Sequence, residues 1–176
     1  MSDNAYIENG IAEAVRLRES GDLEAARRLL LALLERGNHD HPLVNYQLAW
    51  TLDRMGVETD AASYYECAIA TGLAGDDLRG ALLGLGSTYR VIGRDADAVR
   101  TLAAGVARFS DDGAMRTFYA LALYSAGEYA QATQEFLRVI LASSADPQIG
   151  QYRNALIEYM EHVDEIWCDG AWYGRS

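Results

Sequence analysis

Apolar residues recur along the chain at three- and four-residue steps, the spacing that lines one face of an α-helix, and glycines break this pattern at a regular interval. Gly21, Gly56, Gly93 and Gly127 each end an apolar stretch, and each stands five residues before an alanine: Ala26, Ala61, Ala98 and Ala132. Successive glycines are 35, 37 and 34 residues apart. A glycine there lets the chain leave one helix through a left-handed residue and enter the next at once. The alanine is the small residue expected where two antiparallel helices approach most closely. A fixed period in the range of about 20–50 residues implies stacked repeats. The pattern predicts helix pairs at about 5–39, 40–75, 76–110 and 111–145. Asp40 or His41 is expected to cap the helix beginning at Pro42, Asp76 to precede the next first helix of a pair, and Ser110 with Asp111 and Asp112 to open the fourth. Asp146 before Pro147 opens a ninth helix at about 146–167, with Ile149, Tyr152, Leu156, Tyr159, Met160, Val163 and Trp167 on one stripe. That helix is expected to cap the last repeat. Residues 1–168 form one domain in this reading, and 169–176 form a flexible tail.

Aligning the second, third and fourth units extends the match. Leu48-Ala49, Leu85-Gly86 and Tyr119-Ala120 coincide, as do Leu52, Tyr89 and Leu123, then Tyr65, Leu102 and Phe136, then Ala68, Gly105 and Val139. The first unit matches best in its second half, GDLEAARRLLLALLE; its first helix keeps Ala14 in the small column but has Glu13 where Leu48 and Leu85 stand. This resembles the tetratricopeptide repeat, a helix–turn–helix unit of about 34 residues. The segments YQLAWTLDRMG, YYECAIATGL and ALLGLGSTYR are similar to the tetratricopeptide group 5 family, a bacterial set of small repeat proteins. The resemblance spans roughly residues 40–160. It implies an all-α fold, an α-solenoid of about four helix pairs in a right-handed superhelix with a C-terminal capping helix, and it supplies no catalytic residue.

Composition narrows the function. Acidic residues number 26 against 15 basic ones, a formal net charge of −11, which repels a phosphate backbone and argues against nucleic-acid binding. All 15 basic residues are arginine, so a Schiff-base lysine or a P-loop lysine is excluded. Cys67 and Cys168 lie far apart, without the spacing of a metal knuckle or a redox pair. With a polar, acidic N-terminus and no run of about 18 apolar residues, the chain reads as cytoplasmic and without a membrane partner.

In stacked helix pairs the first helix of each pair lines the concave side. Steps of i, i+4 and i+7 place Ile11, Val15 and Arg18 on this face, followed by Tyr46, Trp50 and Asp53, then Leu83, Ser87 and Arg90, then Thr117, Leu121 and Tyr124. The row Arg18, Asp53, Arg90, Tyr124 brings Asp53 to Arg90, a contact that either joins adjacent repeats or meets a ligand. Arg54, one step round the helix, is less committed, and with Arg90 it offers a forked donor for a carboxylate. Trp50 beside Tyr46 on a solvent-facing surface points to a binding groove. The groove lacks a Lys and Asn carboxylate clamp, so the expected occupant is a protein or peptide segment with an apolar or aromatic anchor and an acidic residue nearby.

Catalytic readings are weak. His39-Asp40-His41 sits in a turn where capping explains it, and no further ligand is spaced to complete a metal site. His162 and Cys168 are six residues apart, on two sides of a helix, and GLGSTYR lies inside the first helix of the third pair, where Gly86 fills the close-packing column, so it is not a phosphate loop. The expectation is a scaffold with no enzymatic activity, cofactor or metal. The alternative is a self-assembly module, a homo-oligomer built through Trp167, Trp172 and Tyr173 of the tail or through the solenoid ends.

Overall fold

The structure, a computed structural model, describes residues 3–36 and 39–174. Eight helices form four antiparallel pairs: α1 (Asp3–Glu19) with α2 (Leu23–Glu35), α3 (Pro42–Arg54) with α4 (Glu58–Ala70), α5 (Gly75–Val91) with α6 (Asp95–Arg108), and α7 (Gly113–Ser125) with α8 (Tyr129–Ser143). Each helix packs on the next. Contacts also run between α1 and α3, α3 and α5, and α5 and α7, whereas the second helices of successive pairs make no comparable contacts among the described residues. The first helices therefore form the tight inner layer, and the stack curves around them.

The repeat register follows from sterics. Gly21, Gly56, Gly93 and Gly127 have φ of 91°, 76°, 76° and 85°, the left-handed region that a side chain would strain. Ala26, Ala61 and Ala98 have no exposed surface and Ala132 has 2%. Gly86 shows why its column is small: a Cβ there would come within 3.0 Å of the Leu102 side chain, which is fully buried. Replacing Gly86 by alanine sets two effects against each other. Helix propensity favours alanine by about 1 kcal/mol, while an added carbon in a filled core costs about 1–3 kcal/mol. Gly86→Ala is therefore expected to lower the urea midpoint, whereas Gly150→Ala, where nothing lies within 4 Å, should leave it level or slightly raised. A midpoint raised by Gly86→Ala would contradict the packing described.

Capping agrees with expectation at three positions. His41 Nδ1 accepts from the Val44 amide at 3.3 Å, Asp112 accepts from Ala114 and Met115, and Asp146 accepts from Gln148. Asp76 does not precede its helix; α5 starts one residue earlier, behind Ala74, and Asp76 lies in the first turn.

The C-terminal end differs from the single helix expected over 146–167. The chain forms α9 (Pro147–Gln151), breaks at Tyr152, and resumes as α10 (Arg153–Glu161), which packs on α8. Ten helices are thus present among the described residues, not nine. Strands β1 (Glu165–Cys168) and β2 (Ala171–Gly174) then pair antiparallel, with Trp167 opposite Trp172. Asp169 and Gly170 have φ of 47° and 90°, the two positive values that a two-residue hairpin turn of the favoured hand requires. Residues 169–174, expected as a flexible tail, are held in this hairpin; 175–176 lie outside the described residues.

Candidate functional site

The inner layer carries the groove. Trp50 stands 42% exposed on α3, while Tyr46, one turn earlier, is buried and stacks on it with ring centroids 6.0 Å apart. Tyr65 from α4 packs against Tyr46 from below at 6.2 Å. Two glycines of α5 give these rings their space. A Cβ at Gly84 would lie 2.6 Å from the Tyr65 ring, and one at Gly80 would collide with the Tyr46 hydroxyl.

Arg18 holds the exposed ring. Its guanidinium lies 4.0 Å from the centre of the Trp50 ring and donates to Gln47 Oε1 at 2.6 Å, although the residue is only 2% exposed. Burial lowers the Arg18 pKa. Arg54 is not free as expected: its Nη1 donates to the Arg18 carbonyl at 2.9 Å, tying α3 to the end of α1.

Asp53 does not meet Arg90. It accepts from the Thr88 hydroxyl at 3.3 Å, and no ion pair joins it to an arginine among the described residues. Arg90 lies outside the cavity with its Nε buried and unbonded. Burial is the main cause that raises the Asp53 pKa, opposed by the Thr88 bond. A carboxyl whose folded pKa exceeds its ordinary 3.8 binds its proton more tightly when folded. Its contribution to stability is complete below that value and is lost as pH rises through the folded pKa. Asp53→Asn is therefore expected to raise the melting temperature at neutral pH, the gain shrinking to nothing under acid conditions below pH 3.8. A gain of equal size at all pH values would remove ionisation as its cause.

Tyr46, Trp50, Asp53, Leu83 and Ser87 line one open cavity of about 370 Å³. Tyr65, Asp76, Arg79 and Phe118 complete it together with the two glycines; sequence reasoning missed these. Phe118 follows Thr117 by one position, so the face of α7 that meets this cavity is turned one residue away from the i, i+4, i+7 steps. Arg79 is anchored by Asp112, Nε to Oδ2 at 2.5 Å. Burial works against the Asp112 charge, yet the Arg79 guanidinium beside it and the two cap amides hold its pKa down. Thr117, Leu121 and Tyr124 do not line this cavity. The Thr117 hydroxyl bonds the Gly113 carbonyl, Leu121 is half-buried, and Tyr124, 62% exposed, meets Tyr129 edge-on at 5.2 Å. Ile11 sits in the core and Val15 packs against it.

No group of three or more His, Cys, Asp or Glu side chains among the described residues is arranged to hold a metal. Burial raises the pKa of the half-buried Cys67 thiol, the reverse of what activates a nucleophile.

Comparison with known proteins agrees with the helix pairs and their glycine turns. The family model described as tetratrico peptide repeat matches residues 42–163. The chain belongs to the tetratricopeptide repeat family. Among solved structures, this tetratricopeptide repeat chain is similar to the crystal structure of YrrB, described as a TPR protein with an unusual peptide-binding site. The two share 17% identity at a TM-score of 0.70, over 92% of this chain and 84% of that one, a likeness of fold alone. No curated protein matches the tetratricopeptide repeat chain. None of its described helices is long and apolar enough to cross a membrane.

Proposed function

We propose that the chain is a noncatalytic scaffold, working in the cytoplasm, that holds a peptide or protein segment in its concave groove. The observation that carries this reading is Trp50. A large ring left 42% exposed on the wall of a cavity, with its orientation held by a buried arginine, offers broad contact with little entropy left to lose. YrrB, of like fold, has a peptide-binding site, which supports a peptide as the class of occupant.

The charges modify the expected partner. Arg18 and Arg54 are bonded within the fold, Arg79 is paired with Asp112, and Arg90 lies aside. Asp53 and Asp76 line the cavity with no ion pair among the described residues. An apolar or aromatic anchor beside a basic residue suits this groove better than an anchor beside an acidic one. Panning a random-peptide library against the folded chain, with Trp50→Ala as counter-selection, tests both points. Enrichment of aromatic or aliphatic anchors next to Lys or Arg is expected. Enriched peptides that bind the Trp50→Ala chain equally well would overturn the groove reading.

A further inference from the structure

The C-terminal hairpin and α10 border a second, open concavity of about 510 Å³, lined chiefly by Tyr159, His162, Glu165, Trp167 and Trp172. The hairpin register sets Trp167 against Trp172, 5.4 Å apart and nearly perpendicular. The His162 ring lies flat on Trp172 at 4.7 Å with an interplanar angle of 2°, and its Nδ1 is 2.9 Å from Glu165 Oε2. Tyr159 meets Trp172 edge-on at 6.2 Å. These contacts fix Trp172 and leave Tyr159 and Trp167 open, at 55% and 57% exposure. Large open rings beside a concavity mark an interaction surface.

Charge selects the occupant. From Arg153 to Gly174 the chain carries five carboxylates, Glu158, Glu161, Asp164, Glu165 and Asp169, against the single arginine Arg153, which donates to the Leu141 carbonyl. A second copy of this end would bring like charges together. A cation is attracted both by the carboxylates and by the electron-rich ring faces. The same molecule shows that a guanidinium suits rings beside a carboxylate. Arg94 lies 4.1 Å over the Tyr89 ring while Glu66 pairs with Arg94 at 3.4 Å and accepts from the Tyr89 hydroxyl. Arg18 also covers Trp50 and Arg36 covers Tyr6, each without an ion pair to a carboxylate among the described residues. At the C-terminal cluster the rings and the carboxylate are present, and among the described residues no guanidinium lies over them.

We propose that this cluster is a docking site for an arginine side chain of a partner protein. The planar guanidinium stacks on the open Trp167 or Tyr159 face and donates to Glu165 Oε1, Oε2 being engaged with His162. The site is separate from the groove around Trp50 and does not depend on it.

The test titrates acetyl-Gly-Arg-Gly-amide into the full chain and follows its three indole N–H signals by NMR. The control is the citrulline peptide, equal in shape and uncharged. The arginine peptide should shift the Trp167 and Trp172 signals saturably, and the citrulline peptide should bind at least about tenfold more weakly. Trp167→Ala removes half of a cross-strand pair, so Glu165→Gln, which leaves every ring in place, is the second variant. Each should weaken binding at least about threefold, and Trp50→Ala should leave it unchanged. Equal shifts with both peptides, no shift at all, shifts confined to Trp50, or binding insensitive to Glu165→Gln would overturn the proposal. So would binding seen only after Arg175→Gln, which makes the chain's own end the occupant, or a mass that rises with concentration without peptide, which makes it a second copy.

Discussion

Replacing Ala98 with leucine is expected to destabilise the fold by about 1–3 kcal/mol, the cost of forcing extra carbons into a filled core. The competing gain is the burial of added apolar surface, about 25 cal/mol per Å², and it is realised only where space exists. Ala98 has no exposed surface, and Leu102, one turn later on the same face of α6, has none either. Leu102 in turn lies where Gly86 of α5 leaves room for no more than a hydrogen. Leucine at 98 must therefore push α5 and α6 apart or leave its preferred rotamers. A chain of this length loses about 2–4 °C in melting temperature per kcal/mol, so a drop of several degrees should be seen by circular dichroism. Ala96→Leu, at an exposed position of the same helix, is the control and should change little. An unchanged midpoint for Ala98→Leu would mean that the helix-pair register is wrong.

The same residues show why so much of the fold was legible. A glycine at φ between 76° and 91° and an alanine at a helix crossing are constrained by sterics at one position each, so their spacing survives in a single sequence. The end of the chain was less legible because the stripe Leu156, Tyr159, Met160, Val163 continues to suit a helix where the period changes. The signal for that change was present: Trp167 and Trp172 stand symmetrically about Asp169-Gly170, a dipeptide that favours tight hairpins. Period arguments along one helix could not see it.

The groove was partly legible for a similar reason. Helical spacing placed Tyr46, Trp50, Asp53, Leu83 and Ser87 on one face, and they line one cavity. It could not say which polar side chains had partners elsewhere. Arg54 reaches a carbonyl 36 residues away, and Asp53 turns to Thr88, 35 residues away, instead of Arg90. Phe118 and Arg79 were missed because helix curvature and rotation decide which flanking positions turn inward, and neither is encoded in local spacing.

Trp50 carries the functional account, and its truncation has the largest expected effect on binding. Removing a central aromatic anchor commonly costs about 2 kcal/mol or more, roughly a thirtyfold loss of affinity. Its side chain is exposed, so the fold should survive, although Arg18 loses the ring it covers and remains held by Gln47. Asp53→Asn is expected to weaken a peptide carrying a basic residue less than Trp50→Ala does, with the loss shrinking at high salt. Glu24→Ala, on the outer helix α2, should have no effect on binding. The most direct measurement is a calorimetric titration of one library-selected peptide into wild-type and Trp50→Ala chains whose circular dichroism spectra agree. The account predicts at least about thirtyfold weaker binding to the variant, and equal affinity for the two folded chains would contradict it.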